Sequence, residues 1–121
     1  MKKRDCRWRC EKRTLPKCEG ICKTFSDIQA RYADALVERE DVESFRTNVP
    51  MDGLEYGDYT SDIVAVKADG SLMVRECVPR RTLLRTKTCS LLDVSREYWV
   101  TRGVMDWGIV VEKKEDGNEE T

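Results

Sequence analysis

A single α/β domain in the order helix, three strands, helix, strand is what this sequence predicts, and three stretches carry the prediction. Ser26-Asp27-Ile28-Gln29 is a capping box opening an amphipathic helix. Asp69-Gly70 stands between two apolar runs, the strongest short-range hairpin signal, because a type I′ turn needs positive φ at residues that tolerate it. Trp107-Gly108-Ile109-Val110-Val111 is apolar on both faces and reads as an internal strand. At 121 residues the chain has room for one real core and no independent C-terminal domain.

Charged residues make up 37% of the chain and nearly cancel, to a net charge of −1, but they are segregated. Lys2, Lys3, Arg4, Arg7, Arg9, Lys12, Arg13, Lys17 and Lys23 crowd the beginning, while Glu112, Glu115, Asp116, Glu119 and Glu120 mark the end. The basic end suits phosphate and the acidic end suits a solvated tail. The expected organisation is a basic, cysteine-rich arm over residues 1–24, a folded domain over 25–112 and an acidic tail over 113–121. No apolar run approaches the roughly 18 residues needed to cross a bilayer. The first residues also lack the apolar stretch of a secretory signal. The expected compartment is therefore the cytoplasm, with no membrane partner, where cysteines are reduced, metal-bound or buried rather than paired.

In the arm, Cys6, Cys10, Cys18 and Cys22 give C-x3-C twice, seven residues apart. Four thiolates in close pairs suit a tetrahedral structural zinc site; free thiols and disulfides are the other two readings of the same spacing. Trp8 sits between Arg7 and Arg9, as aromatics on nucleic-acid surfaces often do. The first helix starts after Ser26, whose hydroxyl accepts from the Gln29 amide while the Gln29 side chain returns toward Ser26. Ile28, Tyr32, Ala35 and Leu36 form its buried stripe, and it ends near Glu40. Val42 to Val49 reads as a strand closed by Pro50, and Met51 to Gly57 as a loop.

The second and third strands run over Tyr59–Lys67 and Ser71–Val78, with Leu72, Val74, Glu76 and Val78 on one face of the latter. Asp62 and Glu76 thus lie at the far end of neighbouring strands, and read either as carboxylates within reach of one metal ion or as surface carboxylates at strand ends. Arg80, Arg81, Arg85 and Lys87 introduce a second helix over Leu84–Arg102, and read as phosphate contacts or as a solvated helix start. Leu84, Leu91, Leu92, Ser95, Tyr98 and Trp99 form its stripe, and Gly103 ends it. Trp99 and Trp107 are expected in the core, and Cys77 and Cys89 as small buried hydrophobes.

This order, with Asp62 and Glu76 where they are, resembles the PD-(D/E)XK nuclease core, and more closely the N-terminal catalytic domain of TnsA-like transposon endonucleases. Four patches carry the resemblance across residues 25–112: Phe25–Gln29; Asp41-Val42-Glu43-Ser44-Phe45 with Pro50; Tyr59–Val64 with Asp69-Gly70; and Arg96-Glu97-Tyr98-Trp99 with Gly103 and Trp107–Glu112. It implies a restriction-endonuclease-like αβββαβ core, a mixed central sheet flanked by helices. It also implies magnesium or manganese held by carboxylates and a backbone carbonyl, which activates water against a DNA phosphodiester. A lysine beside them would orient that water. DNA and a transposase-like protein in a mobile element are the implied partners.

Carried over residue by residue, Asp62 matches the family's strand Asp and Glu76 its Gln/Glu position. Gln29 stands where the family has a helix Glu, and Val78 where it has the Lys. Lys67 and Arg75 fall on the faces opposite Asp62 and Glu76, and Lys87, near the start of the second helix, is the candidate for a migrated substitute. Two functions follow. One is a metal-dependent endonuclease with Asp62 and Glu76 on the metal, Gln29 as accessory ligand, and Arg7, Arg9, Lys12, Arg13, Arg80, Arg81 and Lys87 on DNA. The other is a nuclease-fold module that no longer cleaves and is retained for binding DNA or a protein partner.

Overall fold

A computed structural model describes residues 10–51 and 59–112. Arg7, Arg9, Cys6 and Trp8, most of the loop after Met51 and the acidic tail lie outside these residues. Within them the chain forms β1 (Glu11–Arg13), β2 (Cys22–Thr24), α1 (Asp27–Glu38), β3 (Val42–Pro50), β4 (Thr60–Lys67), β5 (Leu72–Cys77), a 3₁₀ turn (Arg80–Thr82), α2 (Thr86–Val100) and β6 (Asp106–Val110). From α1 onward this is the expected order of helix, three strands, helix, strand.

The principal sheet has the order β3-β4-β5-β6. Its first three strands are antiparallel, and β6 runs parallel to β5 after the α2 crossover. Strand alternation divides the core into two layers. On one face Ile63, Ala65, Met73 and Cys77 join Phe45, Val42 and Cys22 against Ala33 and Leu36 of α1. On the other, Val49, Val64 and Val74 pack with Trp99 of α2 and Val104. The molecule is a mixed α/β domain whose two helices cover opposite faces of one sheet. Among the described residues, no helix is long and apolar enough to cross a membrane.

β1 and β2 form a separate antiparallel hairpin, and the segment joining them closes the outer edge of β3. The Phe45 amide donates to Lys17 O and the Glu19 amide to Phe45 O, each at 2.9 Å. The Asn48 side chain donates to Lys23 O at 2.8 Å. Cys22 is fully buried in the α1-side core, so residues 10–24 pack as part of the domain.

Local sequence signals explain most boundaries. Ser26 accepts from the Gln29 amide at 3.2 Å, but the returning Gln29 Oε1 takes the Phe25 amide, at 2.9 Å, rather than that of Ser26. The β4–β5 hairpin forms as expected with a different turn. Gly70 has φ +89°, whereas Asp69 does not take positive φ. The Gly70 amide bonds Lys67 O and the Lys67 amide bonds Ser71 O, giving a three-residue loop with one left-handed glycine instead of a type I′ turn. Asp69 Oδ1 fixes it by accepting from the Ser71 amide and hydroxyl at 2.9 and 2.6 Å. Gly103, at φ +89°, ends the α2 segment while the Val104 amide bonds Trp99 O at 3.0 Å.

Three expectations need correction. Leu84, placed on the buried stripe of the second helix, is 88% exposed. The chain leaves β5 through Pro79 and the 3₁₀ turn, so α2 starts only at Thr86 and Leu84 falls in the connection. Cys89 is exposed rather than buried, its thiol donating to Leu83 O at 3.5 Å. The apolar run from Trp107 supplies most of β6, which among the described residues is an edge strand and not an internal one.

Phe45→Ala should cost about 3–5 kcal/mol in chemical denaturation, because Phe45 is 1% exposed and joins β3 to the α1-side core. Leu84→Ala should change stability by less than about 0.5 kcal/mol.

Candidate active site

Asp62 and Glu76 meet where β4 and β5 separate. The regular ladder between these strands runs from Val66↔Leu72 to Ile63↔Arg75 and stops there. One residue further on, the main-chain amides are taken by side chains. The Asp62 amide donates to Glu76 Oε1 at 2.9 Å, and the Cys77 amide donates to Asp62 Oδ2 at 2.8 Å. Each carboxylate thus satisfies an amide of the opposite strand, where an unpaired buried N–H would be costly. The residues are 1% and 0% exposed.

The second oxygen of Glu76 is also engaged. Ser95 of α2 donates its hydroxyl to Glu76 Oε2 at 2.5 Å, and Ser95 Oγ accepts from Trp107 Nε1 of β6 at 3.0 Å. A parallel link joins Trp99 Nε1 to Ser61 Oγ at 2.7 Å. The chain Trp107–Ser95–Glu76–Asp62 therefore ties β6, α2, β5 and β4 through buried polar contacts. Burial pushes the Glu76 carboxyl up to about 7, with the neighbouring Asp62 charge adding to the rise; the Ser95 hydroxyl and the Asp62 amide oppose it.

Gln29 reaches the same region from the α1 face, but as a donor. Its Nε2 bonds Asp62 O at 2.9 Å and Asn48 Oδ1 at 3.1 Å, while its Oε1 is occupied by the Phe25 amide. An amide directed this way fixes the start of α1 to β4 and leaves its oxygen unavailable to a cation. Val78, where the resemblance implied a lysine, is buried. Lys67 and Arg75 pair with Asp106 at 2.8 and 2.7 Å, and Lys87 is exposed in the first turn of α2.

These side chains do not fit a bound magnesium or manganese in the arrangement they hold. Both Glu76 oxygens and one Asp62 oxygen accept protein donors, the third candidate ligand presents N–H groups, and among the described residues no lysine hydrogen-bonds the buried pair. Among the described residues, no group of three or more cysteine, aspartate or glutamate side chains is arranged to hold a metal ion. The same applies to the arm: Cys18 packs against the cluster containing Cys22, Cys10 completes no metal-holding group with them, and Cys6 lies outside the described residues. Cys10, Cys18 and Cys22 are free thiols. Burial, reinforced by Cys22, pushes the Cys18 thiol up to about 12.

The proposed phosphate-binding residues divide in two. Arg13 is engaged by Asp34 at 3.0 Å and by Ala30 O at 3.3 Å. Arg80 is engaged by Glu112, its Nε donating to Glu112 O at 2.6 Å. Lys12, Arg81 and Lys87 are exposed. Sequence reasoning placed Ser95 on the helix stripe without its role as Glu76's partner. Its signal was a hydroxyl within an apolar stripe, opposite a strand face interrupted by one carboxylate. No protein-family model matches the sequence, and no curated protein does.

The displaced Glu76 carboxyl sets a pH dependence. Its ordinary value of 4.5 applies to the unfolded chain and about 7 to the folded one, so between them the folded state holds more protons. The Glu76 contribution to stability is fully present below pH 4.5 and is lost as pH rises through about 7. Thermal melts should show Glu76→Gln flattening this loss between pH 5 and 8, with a difference of a few kcal/mol across the window. Equal slopes for both proteins would contradict the assignment. In alkylation of the native protein at neutral pH, Cys89 should react well before Cys18 and Cys22; early labelling of Cys22 would contradict its burial.

Proposed function

We propose that this chain is a nuclease-fold module of the TnsA-like PD-(D/E)XK kind that does not cleave DNA, and that it serves a DNA-acting assembly by binding. The observation carrying this reading is the reciprocal brace between Asp62 and Glu76, closed on its outer side by Ser95 and Trp107. A hydrolytic site needs carboxylate oxygens open to a metal and a water in front of them. Here the same two positions satisfy main-chain amides at a strand fork.

Support for the nuclease-derived fold comes from topology and placement together. Three antiparallel strands follow the first helix, a second helix crosses over, and the last strand runs parallel to the third. Asp62 and Glu76 lie at the divergence of the two central strands, and Gln29 approaches from the first helix. On this reading Asp62 and Glu76 keep the expected carboxylates, while Gln29 is an amide donor where an acid is expected and Val78 stands where a lysine is expected. Positioning without the charged chemistry supports retention of the fold as a scaffold. For DNA, Lys12, Arg81 and Lys87 supply exposed cations, whereas Arg13 and Arg80 are held within the fold.

Two measurements test this proposal. Supercoiled DNA incubated with the protein in magnesium or manganese should remain uncut, as with Asp62→Asn and Glu76→Gln; nicking abolished by both substitutions would identify an active endonuclease instead. In a salt titration of DNA binding, neutralising Lys12, Arg81 and Lys87 should flatten the slope of log affinity against log salt by about two to three units. An unchanged slope would remove these residues from the phosphate contacts.

A further inference from the structure

The two ends of the principal sheet are finished differently. The outer edge of β3 is closed by the chain's own residues 17–23, whereas among the described residues no strand pairs with the outer edge of β6. Main-chain groups alternate in direction along a strand. Val110 O accepts from the Val78 amide at 2.9 Å, so Val110, Gly108 and Asp106 turn toward β5. Trp107 and Ile109 accordingly carry their N–H and C=O groups outward.

The odd-numbered residues also make one side-chain row on the α2 face: Met105, Trp107, Ile109 and Val111. Met105 is 90% exposed and Ile109 42%, and the other two are half-buried. The sole charge in this strand, Asp106, belongs to the opposite row and is paired with Lys67 and Arg75. Lysine, proline and bulges, which commonly keep an edge from pairing, are all missing between Met105 and Val111.

We propose that a second copy of this chain pairs antiparallel with β6 across a two-fold axis at Gly108, joining two four-stranded sheets into one. In this register Trp107 lies opposite Ile109 of the partner subunit, and Met105 opposite Val111 of the partner subunit. Every apolar residue of the odd-numbered row therefore meets another, and that row brings no charged side chain to the contact. Gly108 meets itself at the axis with no side chain in the way; on the face toward Arg75, the Arg75 side chain already lies 3.4 Å from where a Cβ would be. A one-residue slip sets outward-facing groups against inward-facing ones and loses the hydrogen bonds. Other in-phase registers leave part of the four-residue row unmatched. Because β3 is closed by its own chain, edge pairing ends at two copies rather than growing into a fibre.

Sedimentation velocity of the full chain, from micromolar to several hundred micromolar, tests the pairing. The wild type should move from the monomer mass of 14.0 kDa toward twice that mass. Hydrogen exchange at Trp107 and Ile109 amides should slow over the same range. Ile109→Lys adds like charge beside the axis, and Ile109→Pro removes an outward N–H while sparing the ladder to β5; each should weaken dimerisation at least about tenfold. Far-UV circular dichroism should remain that of the wild type for both. A wild type that stays at 14.0 kDa throughout, amides that exchange equally fast at all concentrations, or folded variants that dimerise like the wild type would each overturn the proposal.

Discussion

The fork between β4 and β5 is the constraint on which the rest of the domain depends. Two strands that separate inside a core expose main-chain N–H groups to an apolar surrounding, and those groups need acceptors. Asp62 and Glu76 provide them across the fork. Both carboxylates therefore belong to the hydrogen-bonding of the sheet as much as to any site. The cost is desolvation, visible in the raised Glu76 carboxyl, and it is offset by the Asp62 amide and the Ser95 hydroxyl. Removing one carboxylate leaves a buried amide bare even as it relieves the repulsion between the pair, whereas a neutral isostere keeps an acceptor in place.

The other contacts around the fork serve the same arrangement. Trp107 fixes Ser95, which fixes Glu76, so the parallel strand β6 and the crossover helix α2 are locked to the hairpin through one polar chain. Gln29 does this from the opposite face by donating to the carbonyl of Asp62 while its oxygen caps the entrance to α1. A residue that was both helix cap and candidate metal ligand is, in the folded protein, a strut between helix and sheet. That assignment depends on the direction of its amide: an N–H pointing at a carbonyl cannot also present an oxygen to a cation.

Much of this was legible in the sequence because short-range physics sets it. The Ser26 cap, the Asp69-Gly70 hairpin, the alternation in Leu72–Val78 and the terminating Gly103 each specify their element locally. The convergence of Asp62 and Glu76 depended on the turn: a two-residue type I′ loop would have set Asp62 opposite Cys77 and on the other face from Glu76, and the three-residue loop sets the two carboxylates side by side. What the sequence withheld depended on distant partners: Ser95 closing on Glu76, the Gln29 side chain turning to Phe25, and the hairpin of the arm seating Cys22 in the core. The stripe drawn through Leu84 failed because a 3₁₀ turn delays the helix. The internal reading of Trp107–Val111 departs from the edge position that β6 holds among the described residues, because hydrophobicity on both faces does not specify how many neighbours a strand has.

Manganese as a paramagnetic probe tests the structural role of the carboxylate pair most directly. With amide resonances assigned, stepwise addition of manganese to the wild type should leave Asp62, Ile63, Glu76 and Cys77 no more broadened than the rest of the core, and a magnesium excess should not move the Glu76 titration from about 7. Broadening centred on those residues, competed by magnesium and abolished in Asp62→Asn, would show that the pair holds a divalent ion and would contradict the account.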